Sequence, residues 1–335
     1  MANTEIRKAD RTSQLGGATE IVRPVFSWSD LAMRYGLIVV LALLVVVSQS
    51  LYPRFLDPLN IRNILSQNAP LGIIAVGMTL VMITRGFDLS VGAMYAAGAT
   101  IFASLAVAGW PLPLAALAVV LVGVAGGLVN GAVITRLNVN PFVATLGTTS
   151  VFSGLALLYS NSSPFIVSDP AFTWLGRGLI GGVPVSVVLM ALIFIAGEVV
   201  LSRTTYGRAL YSIGGNDEAS RLAGLRTAAL RASSYVICGG CAAVAGMIIA
   251  SRLSIGQADI GSTMALDAIA VVVIGGTSLM GGEGAVWRSA IGLLIVAVLT
   301  NLLDSLAVDS NYQLVIKGTI VVAAVALDAY ARSRT

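Results

Sequence analysis

RTTYGRALYSIGGNDEASRLAGLRTAALR, residues 203–231, carries five arginines in a chain otherwise sparing with charge: Arg203, Arg208, Arg221, Arg226 and Arg231. Long apolar runs flank it, 185–202 before and 232–251 after. Gly214 and Gly215 loosen the backbone and Asn216 is a strong N-cap, so one helical run ends here and another begins. Asp217 and Glu218 then fall in the first turn, where the helix dipole favours acidic groups. Ala219, Leu222 and Leu225 make one small apolar face, and Gly224 suits the residue that closes a helix. A short exposed helix between apolar runs has little core to join. The stretch Gly215, Asn216, Asp217, Glu218, Ala219, Arg221, Leu222 and Gly224 therefore reads as a docking element for another protein.

Outward from this stretch, composition settles the class. The 335 residues are 57% hydrophobic and 11% charged, with a mean hydropathy of +0.90. Soluble domains carry about 25% charged residues, so an all-α polytopic membrane protein in a lipid bilayer is the reading that fits. The net charge of +4 does not indicate nucleic acid, because the basic residues fall between apolar runs, as positive-inside topology requires. Histidine is absent, which removes the commonest general base and metal ligand. Cys238 and Cys241 have redox CxxC spacing but lie in an apolar run; Cys238, Ala242, Gly246 and Ala250 read instead as a small-residue packing ladder.

About ten spans are expected, at 36–51, 69–84, 89–108, 113–135, 141–159, 185–202, 232–251, 265–280, 288–304 and 312–330, forming a transmembrane domain over 36–330. Residues 1–35 read as a polar, disordered tail, too long to be an ordinary cleaved signal peptide before its first apolar run. Asn60–Asn68 reads as an interfacial piece, with Pro70 in the first turn of the second span. Asp88 and Ser90 are expected to cap the third span. Gly123, Gly127 and Gly131 form a double GxxxG in the fourth, which invites a close helix neighbour. Residues 160–184 read as an outer loop, 203–231 as an inner loop and 331–335 as an inner tail. With the N-terminus inside, fifteen of the twenty basic residues fall on the inner side; Arg54, Arg62, Arg177, Arg252 and Lys317 do not. Residues 59–84 and 265–287 have the length and breaks of re-entrant segments. A faint echo relates 75–92 to 265–282.

There is no phosphate-binding GxxxxGK[ST] loop, and the two lysines, Lys8 and Lys317, lie outside any glycine loop. The glycines of 275–284 read as a tight turn where helices meet. Polar side chains within or beside the spans are the pathway candidates, because such groups are costly in the bilayer: Gln67, Asn68, Asn130, Asp267 and Asn301. Asp267 stands out as the most deeply placed acid, beside a glycine-rich turn.

Glu218-Ala219-Ser220 with Gly224 is similar to the EAA-type loop of ABC importer permeases. The run from Tyr206-Gly207-Arg208 to Gly224 resembles monosaccharide permeases of the ribose, xylose and galactose type. ITRGFDLSVGA (83–93), NVNPFVATLGT (138–148) and LDAIAVVVIGGTSLMGGEGAV (266–286) agree, in the family's order, over roughly 60–330. Ser220 stands where alanine is usual, and Arg85 where glycine is expected. The resemblance implies a type II-like permease architecture in the bacterial inner membrane, both termini cytoplasmic, and no catalysis by this chain. It also implies a second permease copy (homodimer or heterodimer), a substrate-binding protein docking at 160–184, and a separate ABC ATPase at 203–231. That ATPase would hold the ATP and Mg; no cofactor is expected on this chain. The competing reading is an ion-coupled secondary transporter of a small polar solute, for which Asp267, Asp304 and Asp328 are too scattered to form a proton relay.

Overall fold

The structure, a computed structural model, describes residues 28–332. The chain divides after Gly36, and the larger unit, from Leu37 onward, holds the packed helices and the functional segments. The expectation of a disordered tail falls mostly on residues outside the described ones, as does the end of the inner tail, 333–335.

Helix α10, Thr227–Leu253, is the axis, and its widest contacts are with α4 (Leu112–Arg136), α3 (Val91–Val107) and α2 (Pro58–Ile83). Small residues make this possible. A Cβ placed on Gly127 would strike the Tyr235 carbonyl, and one on Gly131 would lie 2.9 Å from Ala232 Cα, so the double GxxxG brings the α4 and α10 backbones into direct contact. On other sides of α10, Cys238 Cα stands 2.7 Å from where a Cβ on Gly77 of α2 would be, and Gly246 packs against the Tyr95 carbonyl of α3. Both cysteines are free thiols, Cys238 buried, in keeping with a packing ladder.

Asp57 caps α2 through the Leu59 amide at 3.0 Å, with Pro58 as the first helical residue. The expectation for 60–70 is thereby corrected: Asn60–Asn68 is continuous with α2, and Pro70 lies inside that helix rather than at its start. A neighbouring cap and proline outcompeted the later one. From Ala69 to Ile83 every residue of α2 is buried, making it the core helix of the unit.

Among the described residues, six helices are long and apolar enough to cross a bilayer: α2, α4, α5 (Pro141–Ser160), α7 (Val185–Arg203), α10 and α12 (Val286–Ser305). The apolar part of α1 (Trp28–Leu51), from Gly36 onward, is shorter, as are α3 and α11 (Met264–Ile274). Helix α13, Ser310–Arg332, covers the last expected span. Helix α11, with 11 residues, rises about 16 Å, roughly half a hydrocarbon core. Its end is closed by Gly276 at φ +79°, with Thr277 N–H donating to the Val272 carbonyl at 3.1 Å. The expected tight glycine turn is there, and Gly275 packs on the Arg288 carbonyl at the start of α12.

The expected outer loop is folded. Phe165–Ile166 (β1) pairs antiparallel with Ile255–Gly256 (β4), a short helix α6 spans Trp174–Arg177, and Leu179–Ile180 (β2) turns through Gly181-Gly182 to Val183–Pro184 (β3). Both turn glycines have positive φ, as a two-residue hairpin demands. Because α7 starts at Val185 and α10 ends at Leu253, this cap lies at the opposite end of the bundle from residues 203–227.

Candidate functional site: coupling segment and polar cavity

Thr204 and Asn216 divide the inner segment into two helices. The Thr204 hydroxyl accepts from the Gly207 amide at 3.2 Å and opens α8, Thr205–Gly215. Asn216 Oδ1 accepts from the Ala219 amide at 3.0 Å and opens α9, Asp217–Leu222. Gly224 closes α9 in the left-handed conformation, φ +85°. Its N–H donates to the Arg221 carbonyl at 3.0 Å, and the Leu225 N–H to the Ser220 carbonyl at 3.1 Å, the paired bonds of a Schellman closure.

Six residues are too few to hold a helix unaided, so α9 depends on its caps and its anchor. The anchor is Arg231 on α10, whose Nη2 meets Asp217 Oδ1 at 2.9 Å with the arginine side chain only 23% exposed. The contact between Glu218 and Arg221, 4.0 Å apart with both side chains mostly exposed, is too screened to matter. Leu222 is 78% exposed. Glu218 and this leucine face away from the bundle, while Asp217 turns to Arg231 and Ser220 is buried beneath.

Helix α8 is bound more firmly. Leu210 is buried in a cluster with Leu80, Ile83, Leu201 and Val286. The Tyr206 hydroxyl bonds the Ser233 hydroxyl of α10 at 2.7 Å, and Tyr211 donates to the Gly284 carbonyl at 2.6 Å. Burial pushes the Tyr211 phenol up, which keeps it a donor. At the far end of α8, Arg85 donates from Nε to the Gly214 carbonyl and from Nη2 to the Gly215 carbonyl, both at 2.6 Å. Arg85 closes α2 with φ +63°, a conformation that costs a side-chain-bearing residue about 1–3 kcal/mol. The position where the resemblance leads one to expect glycine thus has a glycine's backbone and an arginine's side chain.

Between α2 and α3, Asp88 is fully buried and is the deepest acid among the described residues, which corrects the expectation placed on Asp267. Its Oδ1 accepts from the Ser90 amide at 3.0 Å, the Ser90 hydroxyl at 2.6 Å and Asn130 Nδ2 at 3.3 Å, while Oδ2 has no protein partner. Ser90 holds the N-cap position of α3 but makes no capping bond; its hydroxyl is spent on Asp88. Thr148 of α5 donates to Asn130 Oδ1 at 2.7 Å, so the network ties α4 and α5 to this turn. Burial pushes the Asp88 carboxyl up to about 6 against the bonds it accepts.

Gln67, Asn68 and Asp267 come together in a polar cavity of about 140 Å³, lined also by Tyr95, Thr300 and Lys317. Asp267 accepts from the Thr263 hydroxyl at 3.0 Å and lies in the first turn of α11, at the opposite end of that helix from its glycine turn. Neither ion pair among the described residues joins Asp267 to Lys317, so an acceptor and a donor face one small space. A hollow of about 500 Å³ between α3, α4 and α5 is lined mainly by apolar side chains such as Met94, Ile101, Val122 and Phe152, with hydroxyls only from Thr100 and Tyr159. Asn130 and Asn301 do not line the polar cavity. Asn130 belongs to the Asp88 network, and Asn301 exchanges amide bonds with Asn60 at 3.1 and 3.0 Å, joining α12 to α2. Thr300, with Val296 one turn before it, is what α12 brings to the cavity: one residue is about 100° of helix, enough to turn Asn301 elsewhere. Lys317 could have been found as a cation in an apolar span.

The chain matches, over residues 60–325, the family described as branched-chain amino acid transport system / permease component. It is 42% identical over 290 residues to the ribose import permease RbsC of Bacillus subtilis, covering 86% of this chain and 90% of that protein. Against RbsC of Escherichia coli K12 the identity is 38%, over 91% of this chain and 96% of the relative. The D-allose transport system permease AlsC of the same strain is 34% identical, over 88% and 91%. No solved structure matches the chain. With glycine-packed spanning helices, no phosphate loop, and these relatives along nearly its whole length, the chain belongs to this family of ABC importer permeases and is a non-catalytic membrane subunit.

Proposed function

We propose that this chain forms the membrane pathway of an importer for a monosaccharide, receiving its solute from a substrate-binding protein and its energy from an ATPase docked on α9. The observation that carries the reading is α9 itself: a helix capped at both ends, anchored through Asp217 to Arg231, and exposing Leu222 and Glu218. Such a helix adds little to a membrane core, and its exposed leucine and glutamate suit a partner with an apolar, basic groove. The polar cavity supports the other half of the reading. At about 140 Å³ it is smaller than the ~300–1,000 Å³ of tight ligand pockets, as befits a weak station on a pathway rather than a high-affinity site. Carboxylate, ammonium, amide and hydroxyl groups there can exchange hydrogen bonds with sugar hydroxyls.

In this reading the expected ten spans comprise α1–α5, α7 and α10–α13, with both termini in the cytoplasm. The cap of β1–β4 and α6 then faces the binding protein. A second permease copy covers part of the exposed apolar surface of α1, α4, α5 and α7. ATP and Mg reside on the partner ATPase.

Copurification of the ATPase and uptake of labelled D-ribose at matched permease abundance test the reading together. Glu218→Lys and Leu222→Asp are expected to abolish both while leaving the permease in the membrane. Uptake by proteoliposomes holding this chain alone, driven by an ion gradient, would establish the secondary transporter instead.

A further inference from the structure

Three chain segments meet where α8 gives way to α9: the end of α2 (Ile83–Arg85), the joint Gly214-Gly215, and the turn Gly281-Gly282. The Gly282 amide donates to the Ile83 carbonyl at 2.9 Å. A Cβ on Gly214 would strike that same carbonyl, and one on Gly281 would strike the Arg85 side chain, so no side chain is admitted at either position. Across this bare backbone junction lies Arg85, the one side chain among the described residues that reaches the Gly214 and Gly215 carbonyls. These are the last carbonyls of α8, the negative end of its dipole, and a planar guanidinium can serve two of them at once.

What Arg85 joins gives the contact its meaning. Helix α2 carries Gln67 and Asn68 into the polar cavity, and Arg85 follows its C-cap, Thr84. The joint that Arg85 grips leads directly into α9. The Asp217–Arg231 pair fastens α9 to α10, but it does not touch α2. A left-handed backbone at residue 85 would be most comfortable with glycine; an arginine stands there at a backbone cost, and its two bonds are what it supplies.

We propose that Arg85 is a positioning residue that transmits displacement of the docking helix to α2, and hence to the polar cavity. The proposal rests on the reading of α9 as an ATPase dock. It separates two properties that a docking residue would combine: binding the ATPase, which should not need Arg85, and moving α2 in response, which should.

The test uses the permease–ATPase complex purified from native membranes. A cysteine at Asn63, exposed near the other end of α2, serves as reporter, with Cys238 and Cys241 replaced by alanine. Labelling by a membrane-impermeant maleimide is measured with and without a non-hydrolysable ATP analogue. With Arg85 present, the labelling rate should change by about fivefold or more, the lower end of ordinary coupling between sites. Arg85→Gly, which relieves the backbone, and Arg85→Gln, which removes the charge, should both abolish that change while retaining the ATPase. Arg85→Lys, able to serve one carbonyl at a time, should fall between. A purely structural role predicts instead that Arg85→Gly, at home at φ +63°, behaves as the parent. An undiminished ATP response in Arg85→Gly, loss of the ATPase from both variants, or no ATP response with Arg85 present would each overturn the proposal. Failure of the parent complex to hold any ATPase would instead overturn the docking reading on which it rests.

Discussion

Replacing Gly224 probes the proposed docking role of α9 through its backbone alone. Gly224 sits at φ +85°, and a Cβ built there meets nothing within 4 Å, so any cost of substitution is conformational and not steric crowding by neighbours. An L-residue in this region pays about 1–2 kcal/mol, more when β-branched, and asparagine is the side chain that tolerates it best. Helix α9 has six residues and cannot absorb such a loss by its own cooperativity. If the closure opens, the 3.0 and 3.1 Å bonds from Gly224 and Leu225 go with it, and the last turn, including Leu222, loses its fixed geometry. A loss of about 2 kcal/mol lowers the formed population by up to about thirtyfold, and ATPase affinity falls in proportion. The expected order of ATPase affinity is therefore Gly224, then Asn, then Ala, then Val, spanning roughly one to one and a half decades. The assay is ATPase binding to detergent-solubilised permease at matched concentration, with permease abundance as the control. An asparagine variant as weak as the valine one would refute the backbone argument, and four equal affinities would remove α9 from the interface.

Three other outcomes are expected from the polar groups. Because the Asp88 carboxyl is pushed up from 3.8 to about 6, the folded state holds its proton more tightly than the unfolded chain does. Its contribution is complete below pH 4 and lost as pH rises through 6, by up to about 3 kcal/mol. The thermal midpoint of the parent should accordingly fall between about pH 4 and 6.5, where no histidine contributes, and Asp88→Asn should lack that part of the fall; equal slopes would dismiss the effect. Asp267→Asn and Lys317→Gln should each lower D-ribose uptake about tenfold or more through lost charge-assisted bonds to hydroxyls, with abundance and ATPase binding unchanged; normal uptake in both would exclude the cavity from the pathway. Asn301→Ala should leave Asn60 half-satisfied and cost about 1–3 kcal/mol of stability in a thermal-unfolding assay, yet keep the transport rate per folded molecule.

Much of the fold of α9 was legible in the sequence because its signals are local. An N-cap, acids in a first turn and a glycine at the end act within a few residues of one another, and the structure has each in the expected place. GxxxG was legible for a related reason: absence of side chains limits what a helix face can meet. Pairings between distant residues were not. Asn130 and Asn301 are polar and intramembrane, as pathway residues would be, yet only the fold reveals that their partners are Asp88, Thr148 and Asn60. Asp267 was singled out by proximity in sequence to glycines that lie at the other end of its helix, and Asp88 was passed over because a capping role accounted for it. Pro70 misled because a proline also fits inside a helix whose freed carbonyl is otherwise satisfied. Arg85 was visible as a departure from a pattern, but its meaning required Gly214 and Gly215, more than a hundred residues away, to be brought to it.

Where α4 crosses α10, main chain rests on main chain at Gly123, Gly127 and Gly131, with no rotamers between to take up slack. Gears with flexible teeth can slip; these cannot. Sliding one helix past the other by a single residue, about 1.5 Å, would drive methyl groups of Ala232 or Ala243 into a peptide plane. The two helices are thus confined to one register and must tilt or translate as a welded beam. Whatever alternation a transport cycle demands has to be accommodated at softer seams, where side chains rather than backbones make the contact.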